Sequence, residues 1–175
     1  MNPVLRPLLR CTALAAAAAL SAGSLPAQAS GSATATFNVT ITLVSSCSIS
    51  ANSLNFGSSI GLLTSAVTGS TTLSVTCSNT TPYNVSLDGG NVSGSSVSSR
   101  LMAGTATGNT ATTIGFQLYS NPGYSTVWGN SVGTNTVSGT GNGSAQTLNV
   151  YAQVPVQATP KPDTYQTTIT ATVSY

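Results

Sequence analysis

Few side chains in this sequence are equipped for chemistry. The 175 residues contain no histidine, and their two carboxylates are Asp88 and Asp163. The cations are Arg6, Arg10, Arg100 and Lys161, and the thiols are Cys11, Cys47 and Cys77. Serine and threonine hydroxyls abound, but a nucleophilic hydroxyl needs an adjacent base, and no imidazole is present to act as one. Lys161 would serve only if buried beside a nucleophile, and the sequence identifies none. The inventory therefore predicts a protein that is not an enzyme and needs neither metal nor cofactor. Asp88-Gly89-Gly90-Asn91 brings one carboxylate where a calcium loop brings several oxygen ligands, so it reads as a tight turn. Trp128, with Tyr119 and Tyr124 nearby, could stack on a sugar, yet in a β domain such aromatics more often pack the core.

The chemistry that remains is cross-linking, and it depends on where the chain resides. Arg6 and Arg10 precede an alanine- and leucine-rich stretch from Ala13 to about Ala22, and Ala27-Gln28-Ala29 supplies the small-x-small pattern of a signal-peptidase site. Residues 1–29 are read as a signal peptide, cleaved after Ala29. The apolar stretch is roughly a dozen residues, short of the roughly twenty that span a bilayer. Cys11 follows Arg10 inside this leader and does not fit a lipoprotein cleavage box. Cys47 and Cys77 would then meet an oxidising compartment, which predicts a disulfide, with a free reactive pair as the lesser alternative. Closing a loop of about thirty residues stabilises a fold by roughly 3 to 4 kcal/mol on the chain-entropy account.

Without the leader about 146 residues remain, one domain in length, with two charged side chains of each sign. Nothing in them resembles the clustered Lys and Arg that nucleic acid or an anionic membrane surface would require. So little charge suits a protein that assembles better than one that must stay dispersed.

The elements that must carry these residues are strands. Glycine, β-branched residues and polar turns interrupt every long window, and the recurring period is two. Strands are predicted at Thr36 to Val44, Thr71 to Cys77, Tyr83 to Leu87, Thr113 to Tyr119, Ser125 to Trp128, Thr147 to Val154 and Tyr165 to Tyr175. Asp88 to Asn91, Asn121-Pro122-Gly123 and Gly139 to Ser144 are predicted turns. Seven strands at this spacing suggest an all-β sandwich. In the first, Phe37, Val39, Ile41 and Leu43 share one face; in the last, Tyr165, Thr167, Ile169, Ala171, Val173 and Tyr175 do. An apolar final strand with no strand after it predicts an open strip that another strand should cover.

Five stretches carry a resemblance: "TFNVTITLVSSCSISA", "LNFG" at Leu54 to Gly57, "LSVTCSNTTPYNVSLDGGN", "IGFQLYSNPGYSTVWGN" and "KPDTYQTTITATVSY". In this order, across nearly the whole chain after the leader, they resemble the spore coat protein U domain family, whose members include subunits of archaic chaperone-usher pili. One departure is Asp163-Thr164-Tyr165, where the family more often has glycine before the threonine-tyrosine pair. The resemblance implies an incomplete immunoglobulin-like sandwich, completed by a donor strand from a neighbouring subunit. It divides the chain into the leader, an N-terminal donor-strand extension at 30–45 and a pilin domain at 46–175. Phe37, Val39, Ile41 and Leu43 would fill a neighbour's groove, while Tyr165, Ile169, Ala171, Val173 and Tyr175 would border this subunit's own groove and pair with a chaperone. The implied partners are identical or related pilin subunits, a periplasmic chaperone and an outer-membrane usher, with no direct membrane insertion. The implied location is an extracellular, cell-surface fibre reached through the periplasm, supporting adhesion or biofilm formation. The presence of the extension and the lack of a second domain favour a shaft or adaptor subunit over a tip adhesin. The alternatives are a protective spore or envelope coat protein with the same fold, and a secreted sandwich whose first strand folds back into its own groove. The spacer from Val44 to Ser46 is short for that return, since an extended residue spans only about 3.3 Å.

Overall fold

Period-two patterning becomes nine β-strands and no helix in the computed structural model, which describes residues 30–58 and 60–175. The predicted leader lies outside the described residues. A unit boundary falls between Thr40 and Ile41. The described part of the first unit, residues 30–40, carries no strand and is exposed.

The second unit holds the strands β1 (Cys47–Ala51), β2 (Val67–Cys77), β3 (Pro82–Leu87), β4 (Arg100–Gly104), β5 (Thr113–Tyr119), β6 (Val137–Thr140), β7 (Ala145–Val154), β8 (Tyr165–Gln166) and β9 (Ala171–Ser174). Every pairing is antiparallel, in a six-stranded sheet of order β1-β2-β7-β5-β4-β8 and a three-stranded sheet of order β6-β3-β9. The fold is thus all-β, two antiparallel sheets in the manner of an immunoglobulin-like sandwich. Alternation places Leu73 and Val75 of β2, Val85 and Leu87 of β3, Phe116 and Leu118 of β5, and Val150, Ala152 and Val154 of β7 in one buried core. The long β2–β7 ladder, from Val67↔Val154 to Thr76↔Ala145, forms its backbone.

Several sequence expectations are corrected here. Ser125 to Trp128 is not a strand: a single bridge joins Tyr119 to Val127, and the Asn121 side chain takes the amides of Ser125 and Thr126 in place of a ladder. Thr36 to Val44 forms no strand, because extended backbone becomes one only beside a hydrogen-bonded neighbour. The continuous strand expected from Tyr165 to Tyr175 is two short strands in different sheets, β8 against β4 and β9 against β3. Strands β1, β4 and β6 were not expected, and β6 occupies the start of the predicted Gly139 to Ser144 turn.

The polar interior is as specific as the apolar one. Cys47 and Cys77 form the disulfide and stand directly opposite each other in the β1–β2 ladder. Ser78 N–H donates to the Ser46 carbonyl at 2.8 Å, so the cysteines occupy the neighbouring, non-hydrogen-bonded pair, where side chains approach most closely. Trp128 is buried and its indole N–H donates to the Val85 carbonyl at 2.8 Å, a core role that uses up its polar handle. Tyr119 and Tyr124 pack edge to face, with ring centroids 5.7 Å apart. Arg100 is fully buried: Nε donates to the Asp88 carbonyl, Nη1 to the Val97 carbonyl and the Gln117 amide oxygen, and Nη2 to the Leu87 and Trp128 carbonyls. All five donors of the guanidinium are satisfied. Desolvation lowers its pKa to about 10, opposed in part by the nearby Asp88 charge.

Candidate functional site

Two sheet edges lie side by side and neither has a strand on its outer side among the described residues: β1, the first strand of the six-stranded sheet, and β9, the last of the three-stranded one. In β1, Ser78 N–H to Ser46 O and Asn52 N–H to Thr72 O mark the even-numbered residues as those bonded to β2. Cys47, Ile49 and Ala51 consequently turn their backbone groups to the open edge. In β9, Asp88 N–H to Thr170 O marks the even-numbered residues as bonded to β3, so Ala171 and Val173 turn theirs outward as well.

Past β1 the chain stays fastened to β2, with Asn52 Nδ2 on Thr72 Oγ1 at 2.8 Å and Thr71 Oγ1 on the Asn52 carbonyl at 2.9 Å. This fastening presents Leu54 and Phe56 toward the interior, and Phe56 meets Phe116 edge to face at 6.4 Å. Between that rim and the 165–171 segment runs a groove of about 1010 Å³ whose floor is the core itself, including Leu73, Phe116, Leu118 and Val150. Such an opening onto core side chains is the kind of apolar surface that a soluble domain ordinarily covers.

Charge in the groove is confined to Lys161 and Asp163 at one end. Asp163 is fixed there: its carboxylate accepts from Asn109 Nδ2 at 2.6 Å, from the Ala106 amide at 3.0 Å, from the Thr164 amide at 2.7 Å and from Thr105 Oγ1 at 3.2 Å. The Asn109 hydrogen bond first and the Ala106 amide next hold its pKa at about 2, with the Thr164 amide and Thr105 adding to them against an opposing effect of desolvation. Tyr165 Oη donates to the Lys161 carbonyl at 2.9 Å and accepts from Asn109 Nδ2 at 3.2 Å. The Asp163-Thr164-Tyr165 departure from the family pattern is therefore an anchor, tying the groove's end to the turn after β4.

Among the residues singled out in the sequence, Tyr165, Ile169 and Ala171 line the groove. Val173 is half-buried against the core beyond that lining, and Tyr175 is 61% exposed. Phe37, Val39, Ile41 and Leu43 are 82% to 86% exposed, and none is buried. Sequence reasoning missed Arg100, Asn109 and the second rim. Leu54-Asn55-Phe56 did carry a signal for the rim, in the alternation within "LNFG".

The model of the Spore Coat Protein U domain matches residues 33–172, a span that takes in Phe37 to Leu43, both cysteines of the disulfide and the whole lining of the groove. The chain belongs to this family. No curated protein matches it. Among solved structures, the chain is similar to one in the crystal structure of the CsuC-CsuE chaperone-tip adhesion subunit pre-assembly complex from archaic chaperone-usher Csu pili of Acinetobacter baumannii. The identity is 23% and the TM-score 0.49, over 77% of this chain and 40% of that one. This family member thus spans less than half the length of that chain.

Proposed function

We propose that this protein is a structural subunit of a secreted surface fibre of the chaperone-usher type, assembled by donor-strand exchange. The observation that carries the reading is the groove: floored by apolar core side chains and flanked by two strand edges whose backbone groups have no neighbouring strand among the described residues. Strand addition needs those features, a backbone ladder for affinity and apolar pockets for alternate side chains. The occupant offered by the chain is its own segment 30–45 in a second copy, where Phe37, Val39, Ile41 and Leu43 recur at every other position. Burying four such side chains contributes about 6 to 12 kcal/mol gross, before the cost of ordering the segment. A slip of one residue would turn Asn38, Thr40 and Thr42 inward instead, which fixes the register. A head-to-tail contact of this kind does not close, so its repetition gives a filament.

On this reading residues 1–29 are a signal peptide, 30–45 a donor extension and 46–175 the pilin domain. A periplasmic chaperone holds the groove until an outer-membrane usher exchanges it for the next subunit, and the cell-surface fibre serves adhesion or biofilm formation. The test is size-exclusion chromatography with light scattering on protein co-expressed with its chaperone, comparing the wild type with a deletion of Ser30 to Val44. Oligomer ladders from the wild type and none from the deletion are the expected result. Stable free monomers from both would show a self-complete domain and end the proposal.

A further inference from the structure

The rim formed by residues 165–174 changes sheets between Gln166 and Ala171, and among the described residues no strand pairs with it across that gap. Unpaired backbone here would ordinarily be free to leave the extended form. Yet the alternation of half-buried and exposed residues continues unbroken, with Thr167 and Ile169 turned inward and Thr168 and Thr170 outward.

The cause is the turn after β3. Asn91 Oδ1 accepts from the Thr168 amide at 3.0 Å and from Thr167 Oγ1 at 3.1 Å. Asp88 Oδ1 accepts from the Thr170 amide at 2.9 Å, while the Asp88 amide returns to the Thr170 carbonyl at 3.1 Å. The Asp88 carboxylate thus replaces the residue's own carbonyl, which Arg100 Nε takes at 2.9 Å. Gly90 permits this approach, at φ +90° and with a site for Cβ only 2.7 Å from Thr167 Oγ1. With Thr168 and Thr170 held from the turn side, Ile169 directs its own amide and carbonyl to the opposite edge, the one that Ala171 and Val173 present.

We propose that Asp88 and Asn91 are positioning residues of the groove: their side-chain oxygens stand in for a missing neighbour strand and lengthen the accepting edge from β9 back to Ile169. An incoming strand then meets an unbroken run of backbone partners at Ile169, Ala171 and Val173. This inference rests on the strand-accepting reading of the groove and assigns that function to two residues outside the groove's lining.

The test uses the full chain and, as probe, a labelled synthetic peptide of residues 33–45, with affinity and amide hydrogen exchange measured together. In the double variant Asp88→Ala/Asn91→Ala the peptide should bind about tenfold more weakly, the loss expected for one or two hydrogen bonds. The Thr168 and Thr170 amides should lose protection while those of Leu118 and Val150 keep theirs. Asp88→Asn and Asn91→Asp, which retain the Oδ1 acceptor, should bind as the wild type does. A double variant that binds undiminished, or one whose loss merely tracks opening of the whole core, overturns the role of the two residues while the strand-accepting reading stands. A wild type that takes up no peptide overturns both.

Discussion

Residues 36–44 and 165–175 share one pattern, apolar side chains at alternate positions with Thr167 the one interruption, and differ in everything that pattern alone cannot supply. Phe37, Val39, Ile41 and Leu43 are 82% to 86% exposed, whereas Tyr165, Ile169, Ala171 and Val173 are half-buried. Hydrophobicity does not separate the two, since the exposed set includes Phe37 and three large aliphatic side chains. Partners do. The C-terminal segment hangs on β4, on β3 and on the side chains of Asp88 and Asn91, while no described strand pairs with the N-terminal one. Alternation creates a face, and a hydrogen-bonded neighbour makes that face a strand.

The largest expected effect comes from removing what holds the paired segment from inside. Arg100→Ala leaves the carbonyls of Leu87, Asp88 and Trp128 without their donor, while Val97 keeps the Gln117 amide, and should lower stability by about 3 to 5 kcal/mol in denaturant unfolding. Arg100→Lys should recover only part, because an ammonium has three donors in a different geometry. A loss under about 1 kcal/mol would mean that the ladders alone hold the segment.

The same substitution placed in each segment sharpens the contrast. Ile169→Asp puts a charge on the groove wall and should cost about 2 to 3 kcal/mol in unfolding of the monomer. Ile41→Asp, in exposed chain, should stay within about 0.5 kcal/mol. Equal effects would erase the distinction between the two segments.

The smallest effect is a pH dependence at the groove's end. The folded-state pKa of Asp163 is depressed from 3.8 to about 2, first by the Asn109 hydrogen bond, so its contribution is complete above the ordinary value and lost as pH falls through the folded one. The thermal midpoint of the wild type should therefore decline across that acid window by more than that of Asp163→Asn. Parallel profiles would show that the carboxylate does not anchor the end of the groove.

The sequence made some of this legible for identifiable reasons. Strand β5 matches its expected bounds of Thr113 and Tyr119, and β3 and β7 lie where alternation put them, because apolar side chains there point into one core. Strand β4 was hidden because it opens on Arg100, a charge whose burial depends on five acceptors, all but the Val97 carbonyl 12 or more residues away. Strand β6 was hidden by Gly139, taken for a turn residue. In the fold the missing Cβ makes room for the Tyr83 ring, whose Cζ lies 2.4 Å from where that atom would be. The groove's C-terminal rim was legible throughout; the other rim showed only in the short alternation of Leu54-Asn55-Phe56, and the fastenings of Asn52 to β2 that set its place are encoded by no local pattern.

The placement of the disulfide has a mechanical consequence. Cys47 is the first residue of β1, and its partner Cys77 is the last residue of β2, a strand bonded along nearly all its length to β7. Tension entering through the residues before Cys47 passes by a covalent bond into β2 and then into the ten-pair β2–β7 ladder. Strand β1 lies beyond that covalent link, so the edge is spared being the first part of the sheet to be peeled, one hydrogen bond at a time.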